Sequence, residues 1–158
     1  MDTAWDKTKA KLAGLLSRRA PATLASVHRV SSNNKAVGDA AETRALQWLQ
    51  ARGLVLVQRN YRLARGPRAR GGEIDLIMRD ASGTLVFVEV RQRKARTQGG
   101  AAASVTASKQ RSLVLAAQHF LLTLPSLPPC RFDVLAIDGG DGGDGEHIEW
   151  LQGAFDAG

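Results

Sequence analysis

The spacing of hydrophobic and polar residues predicts seven secondary-structure elements from residue 38 onward. From Gly38 to about Arg52 apolar residues recur at helical spacing, and Gly53 is expected to end this helix as its C-cap. Leu54 then begins a strand that runs toward Tyr61. The remaining predicted elements are strands at 72–77 and 85–91, a helix at 104–122, and strands at 131–137 and 147–151. This αβββαββ order predicts an α/β fold in which a mixed sheet lies between helices.

Residues 1–36 differ from the rest and are predicted to form a basic, flexible N-terminal arm before a single domain at 37–158. The arm holds seven Lys or Arg residues and two Asp residues, and Pro21 interrupts its helical pattern. Such a tail would add non-specific attraction to nucleic acid. No apolar run reaches the length of a membrane-spanning helix. The single Cys130 excludes an internal disulfide and fits a reducing cytoplasm.

Two neighbouring predicted strands carry acidic side chains where apolar ones would ordinarily serve. They are Gly72–Ile77, with sequence GEIDLI, and Leu85–Arg91, with sequence LVFVEVR. The turn signal Asp80–Gly83 joins them into a hairpin. A buried carboxylate is costly unless it is paired or bound to a cation. Asp75 and Glu89 therefore indicate a metal site.

The register of this hairpin can be predicted from its turn. A hairpin that is symmetric about Ser82 places Asp75 opposite Glu89, and the same register places Glu73 opposite Arg91. Opposed side chains have Cβ atoms about 4.5–5.5 Å apart, so two carboxylates there repel each other unless a cation lies between them. Mg²⁺ is the natural candidate because it takes oxygen ligands. An ion pair between Glu73 and Arg91 on a solvated sheet face is the alternative that the hairpin leaves open.

A further misplaced carboxylate and a nearby cation extend this candidate site. At about 100° per residue, Glu42 falls beside Ala45 and Leu49 on the helix face that should turn inward. Its alternative is a boundary glutamate that pairs with an arginine. Period-2 alternation puts Arg91 on the same sheet face as Glu89, where its charge would stabilise a phosphate or orient a water.

The charge balance favours a polyanionic partner. The formal net charge is +7 and the pI is about 10.3. Basic residues cluster on both sides of the acidic hairpin, which favours binding of a phosphate backbone over the alternative of a merely solvated face. The predicted nucleic-acid contacts are Arg59, Arg62, Arg65, Arg68, Arg70, Arg93, Lys94 and Arg96.

A series of short motifs occurs in order over residues 37–156. They are Gly38-Asp39-x-x-Glu42, Arg59-Asn60, the GEIDLI strand, Phe87–Val90, Arg93, Arg131–Val134 and Ala154-Phe155. Together they resemble the YraN-like family of uncharacterised proteins. That family is regarded as part of the PD-(D/E)XK, or restriction-endonuclease-like, superfamily and is similar to archaeal Holliday-junction resolvases. The resemblance implies a three-layer α/β/α sandwich with a central mixed β-sheet and a phosphodiesterase site that depends on Mg²⁺ or Mn²⁺.

The resemblance also implies roles for individual residues. Asp75 and Glu89 would ligate the metal. Glu42 would complete the acidic cluster, and Glu73 would assist. One position departs from the superfamily pattern, because Arg91 stands where a catalytic lysine is expected two residues after the glutamate. Arginine binds phosphate well but stays charged and cannot act as a base.

Three functional hypotheses follow. The first is a divalent-metal-dependent endonuclease acting on DNA, in particular branched or damaged DNA, with Arg91 stabilising the added negative charge. The second is a binding module of the same fold that recognises DNA without turnover. The third is an interaction protein in which the acids and arginines form ion pairs. Resolvases that cut two symmetric strands work as dimers, so by analogy alone a homodimer is expected.

Overall fold

Two helices and five strands form the part of the chain that the structure describes. The structure is a computed structural model that describes residues 32–63, 71–93, 101, 105–139 and 145–157, with side chains from residue 38 onward. The elements are α1 (Ser32–Gln50), β1 (Val55–Arg62), β2 (Glu73–Arg79), β3 (Leu85–Arg93), α2 (Ala107–Leu121), β4 (Cys130–Asp138) and β5 (His147–Phe155). Their order is the predicted one.

The five strands form one mixed sheet whose spatial order follows the sequence, from β1 to β5. Pairing is antiparallel from β1 through β3, parallel between β3 and β4, and antiparallel again between β4 and β5. A parallel pair cannot be joined by a tight turn and needs a crossover connection. Helix α2 lies in that connection, so the β3–α2–β4 unit is the central piece of the fold.

Alternating side chains of the sheet pack against a helix on each face. Phe87 of β3 belongs to the core under α2, where Phe120 meets it edge to face. The next residue, Val88, belongs to the second core, under Leu49 of α1. Each face of the sheet thus has its own buried core and its own helix. This three-layer α/β arrangement confirms the predicted fold class and is consistent with a restriction-endonuclease-like fold.

Helix α1 ends where the sequence predicts but begins earlier. Gly53 has a left-handed φ of 89°, and the amide of Leu54 donates to the Leu49 carbonyl at 3.2 Å, which closes the helix end. The helix begins at Ser32 rather than at Gly38. No proline interrupts residues 32–37, so the helix extends into the last residues assigned to the arm. The rest of the arm, residues 1–31, lies outside the described residues.

The C-terminal strand is longer than the sequence predicts. β5 continues past Leu151 to Phe155, even though Gly153 has a left-handed φ of 58°. The extension is held by a buried carboxylate of β4, because Asp133 accepts hydrogen bonds from the Gly153 amide and from Trp150 Nε1, each at 3.0 Å. The Asp133 motif that the sequence singles out therefore attaches the last strand.

Within the described part of the chain, no helix combines the length and the hydrophobicity that crossing a membrane requires.

Candidate functional site

Asp75 and Glu89 lie where the backbone pairing of β2 and β3 stops. Paired residues run from Arg79 and Leu85 to Leu76 and Val88, which is the register predicted from the turn. Beyond that pair, the Asp75 carboxylate replaces a backbone partner, because its Oδ2 accepts a hydrogen bond from the Val90 amide at 2.8 Å. Asp75 is therefore fixed at the fork between two strands.

Glu89 is buried and lies between two cations. Its side chain is only 3% exposed. Arg91 Nε lies 3.3 Å from one carboxylate oxygen, Oε1, and Lys109 Nζ lies 3.0 Å from the other, Oε2. Arg91 comes from the same strand, whereas Lys109 comes from the first turn of α2.

Glu42 approaches from helix α1, as predicted. Its Oε2 is buried and accepts no hydrogen bond from the described residues, while Arg59 Nη2 lies 3.8 Å away. Arg59 Nη2 donates to Thr43 Oγ1 instead, at 3.2 Å. The nearest ion-pair partner of Glu42 Oε2 is therefore Arg59, at a distance too long for a hydrogen bond.

The pKa values of all three carboxyl groups are raised, and burial is the largest cause for each of them. Burial raises the pKa of Glu89 to about 7, the charge of Asp75 adds to this, and Lys109 and Arg91 oppose it in part. Burial is also the largest cause that raises the pKa of Asp75, against the hydrogen bond from Val90. The pKa of Glu42 is raised first by burial and then by the charge of Asp75. Positive charge is thus still favoured at this site with its own arginines and lysine in place.

The donor set suits a hard divalent cation that keeps part of its water shell. Among the described residues, no three His, Cys, Asp or Glu side chains form a group that could hold a metal ion as they stand. Mg²⁺, however, is commonly bound through one or two carboxylates, with waters and phosphate oxygens as its other ligands. Asp75 and Glu89 meet that requirement, and the bare Oε2 of Glu42 is a further oxygen for an outer water.

The charge of Glu73 raises the pKa of Asp75, but the predicted alternative of a Glu73–Arg91 ion pair is wrong. Arg62 of β1 pairs with Glu73 instead, with its Nε donating to Glu73 Oε1 at 2.9 Å. The reason is that pairing between β2 and β3 ends at Leu76, so Glu73 retains only its β1 neighbour.

An arginine-lined pocket of about 520 Å³ adjoins Glu42. The residues that line it are Asp39, Thr43, Arg59, Asn60 and Arg62. Asn60 has a left-handed φ of 50°, which interrupts the alternation of β1 between its two arginines. Two of the predicted nucleic-acid contacts, Arg59 and Arg62, therefore meet at one opening beside the carboxylates.

Arg93 is the one other predicted nucleic-acid contact among the described residues, and it does not join this opening. Arg93 has a side chain only 10% exposed, and its guanidinium binds Asp138 through two hydrogen bonds, of 2.6 and 3.0 Å. It also lies 3.2 Å from Glu149, so its charge ties β3 to β4 and β5. The predicted contacts Arg65, Arg68, Arg70, Lys94 and Arg96 lie outside the described residues.

Lys109 is the site residue that sequence reasoning missed. The sequence feature that could have identified Lys109 is electrostatic. A lysine in the first turn of a helix is repelled by the positive end of the helix dipole. Thr106 caps this helix by accepting a hydrogen bond from the Lys109 amide at 3.3 Å. A lysine at this unfavourable position indicates that a nearby anion compensates for the repulsion, and here that anion is Glu89.

Comparison with known proteins agrees with the motifs. The model of the Uncharacterised protein family UPF0102 matches residues 41–137. A UPF0102 protein of Methylibium petroleiphilum is 61% identical over 123 residues, covering 78% of this chain and 96% of its own length. UPF0102 proteins of Paracidovorax citrulli and Cupriavidus metallidurans are 54% and 55% identical, covering 80% and 82% of this chain and 87% and 88% of their own lengths. The chain belongs to the UPF0102 family, which is the YraN-like family that its motifs resemble.

Proposed function

We propose that this protein is a divalent-metal-dependent endonuclease that hydrolyses phosphodiester bonds in DNA. The observation that carries the proposal is the carboxylate cluster of Glu42, Asp75 and Glu89, in which Glu89 is buried and the other two are partly buried. All three pKa values are raised although cations already lie beside two of these groups. Such a cluster is unfavourable as a purely structural feature and gains from a bound cation.

Asp75 and Glu89 would hold the ion, with the Val90 amide keeping the Asp75 carboxylate in place. When bound, Mg²⁺ or Mn²⁺ would polarise a phosphate oxygen and lower the pKa of a water. Arg91 is 35% exposed, so it can turn toward the phosphate and neutralise its developing charge.

The reaction would be an ordinary in-line hydrolysis. The oxygen of a water forms a bond to phosphorus while the bond from phosphorus to the departing sugar oxygen breaks. The water gives up a proton to solvent, and the departing oxygen takes one. The products are a phosphate monoester at one end and a hydroxyl at the other.

DNA is the substrate that the charge distribution favours. The net charge is +7, and the arginine-lined pocket beside Glu42 can take backbone phosphates. Arg59 and Arg62 would position the strand there. Contacts of this kind fix where a strand lies and carry no base sequence.

The alternative is a DNA-binding module that does not cut. Its support is the arginine at position 91 and the ion pairs that Glu89 already makes with Arg91 and Lys109. In that case the cluster is balanced by its own side chains.

Incubation of the purified full chain with linear and four-way-junction DNA, in Mg²⁺ or Mn²⁺, separates the two. An endonuclease is expected to give defined products that disappear with a chelator. Asp75→Ala is expected to lower the cleavage rate at least about 100-fold, because it removes a ligand of the ion. The matched control is Asp156→Ala, which removes an exposed carboxylate outside the cluster.

Cleavage by Asp75→Ala at the wild-type rate would exclude the proposed site. Salt-sensitive DNA binding by the wild type with no product in any metal would establish the binding module instead.

A further inference from the structure

Lys109 places an ammonium group beside Glu89, although the residue two positions after Glu89 is an arginine and not a lysine. The Glu-x-Lys pattern expects a lysine at position 91, where this chain has Arg91. We infer that Lys109 of helix α2 takes the role of that lysine. This inference rests on the proposed function, since it names a catalytic residue for the same hydrolysis.

The geometry singles out Lys109 from the other basic residues near the cluster. Its Nζ lies 3.0 Å from Glu89 Oε2, closer than the 3.3 Å between Arg91 Nε and Oε1. Its charge also acts on Asp75, whose pKa it lowers. The ammonium therefore contacts Glu89 directly, and its charge also influences Asp75.

The backbone of Lys109 is well anchored for this task. Thr106 caps α2 and binds the Lys109 amide. Leu113, one turn further along α2, is buried against the sheet. The side chain itself is 28% exposed, so its tip can contact a substrate while it keeps Glu89 as a partner. A rigid stem with an accessible charge is what positioning of a phosphate requires.

The chemical role is charge neutralisation. The ammonium would donate a hydrogen bond to a non-bridging oxygen of the phosphate under attack, where negative charge increases in the transition state. It keeps all of its protons, so the bonds that form and break are those of the hydrolysis itself. Arg91, beside the other oxygen of Glu89, would add to this neutralisation from the strand.

The first test is Lys109→Met in the full chain, which keeps the length of the side chain and removes its charge. The cleavage rate at saturating Mg²⁺ is expected to fall about 100-fold or more, while circular dichroism shows an unchanged fold. Arg111→Met is the matched control, because it removes one exposed charge from the same helix. It is expected to cleave at the wild-type rate.

The second test asks whether a lysine on the strand can replace the lysine on the helix. Adding Arg91→Lys to Lys109→Met is expected to restore cleavage to within about tenfold of wild type. Arg91→Lys alone is expected to change the rate less than about threefold, because the ammonium is already present. Lys109→Met that cleaves like wild type, or a double variant that stays inactive, would overturn the inference and leave the proposed function standing.

A metal-binding measurement decides the case in which the wild type cuts no DNA. Mn²⁺ affinity, followed by electron paramagnetic resonance at pH 8, is expected to rise at least about threefold in Lys109→Met, because a cation beside the ligand is lost. Glu89→Gln should abolish that gain. A higher Mn²⁺ affinity in Lys109→Met without any DNA cleavage would reject the proposed function. It would still support the pairing of Lys109 with a Glu89 that binds metal. Unchanged Mn²⁺ affinity would reject both.

Discussion

Glu89 occupies a position in which its own charge is unfavourable. The side chain is 3% exposed, and burial raises its pKa to about 7 despite two adjacent cations. Near neutral pH a substantial share of the folded protein therefore carries this carboxyl in its protonated form. A group of this kind costs stability and is retained where its chemistry is needed.

This shift makes the free energy of unfolding depend on pH. Between the ordinary pKa of 4.5 and the folded value of about 7, the folded protein holds a proton that the unfolded chain releases. The contribution of Glu89 is therefore fully favourable below pH 4.5 and is lost as the pH rises through 7, at most about 3 kcal/mol in total. Glu89→Gln should remove this loss, so its stability advantage over wild type should grow from pH 5 to pH 8.

Urea denaturation at several pH values measures that difference directly, and carboxyl groups remote from Glu89 cancel in it. Glu73→Gln makes the same chemical change at a side chain that is 38% exposed, so it is a control without the burial that raises the pKa of Glu89. A constant difference between Glu89→Gln and wild type across this range would contradict the pKa argument.

The acids of the site were predictable from the sequence, whereas their cations were predictable only in part. Asp75 and Glu89 stand out because they interrupt apolar strands, and the turn at Ser82 sets their register. Lys109 lies in another element, and its meeting with Glu89 depends on how α2 packs across the sheet. That packing is a tertiary fact with no counterpart in the local pattern.

Helix α2 approaches the sheet closely at Gly72. A Cβ atom at Gly72 would lie 2.1 Å from the Ser112 carbonyl oxygen and 2.8 Å from the Ala116 Cβ. The glycine just before β2 therefore sets the distance between helix and sheet. The GEIDLI motif combines this close approach with the carboxylate of Asp75 three residues later.

Gly72→Ala is expected to destabilise the protein by about 1–3 kcal/mol, because α2 must move away from a backbone contact. Chemical denaturation provides the measurement. Gly38→Ala is the matched control, since a Cβ there meets nothing within 4 Å, and it should stabilise α1 by up to about 1 kcal/mol. Equal losses in the two variants would mean that crowding at Gly72 is not the cause.

Strand β5 depends on one buried carboxylate in its neighbour. Asp133 is 1% exposed, accepts from the Gly153 amide and from Trp150 Nε1, and pairs with Arg131 at 3.1 Å. The motif was visible in the sequence, but its purpose was not. Its partners lie beyond a left-handed glycine, which local patterning treats as the end of a strand.

Asp133→Ala should cost about 3 kcal/mol, because it leaves buried donors without an acceptor. The tryptophan emission of the protein, to which Trp150 contributes, should shift to the red as that indole loses its buried partner. Asp133→Asn keeps an acceptor oxygen and should lose less stability than Asp133→Ala. Identical behaviour of the two variants would show that hydrogen bonding is not what attaches β5.

For the molecule as a whole, the basic charge matters most where it is accessible. Arg62 is 66% exposed at the pocket end of β1, whereas Arg93 is almost fully buried in an ion-pair network. A count of arginines in the sequence cannot separate these two cases. Only the first kind can exchange counterions with a phosphate backbone.

Under the proposed function, Arg62→Gln is therefore expected to weaken DNA binding and to reduce the slope of log affinity against log salt concentration by about 0.9. Fluorescence anisotropy at four or five salt concentrations gives both quantities. The matched control is Arg79→Gln. Arg62 lies beside the start of β2, whereas Arg79 is exposed at the end of that strand, away from the pocket, so this variant should keep the wild-type slope. An equal reduction of the slope in both variants would indicate that DNA is attracted by the overall charge of the protein and not by the arginine-lined pocket.

The two helices lie on opposite faces of the sheet, and each contributes one charged side chain to the candidate site. Glu42 arrives with α1 and Lys109 with α2, while Asp75 and Glu89 lie between them in the sheet. A chain in which either helix has not yet docked has an incomplete cluster. Completion of the site therefore requires that both helices have docked, so a chain with one helix detached from the sheet is expected to lack the proposed activity.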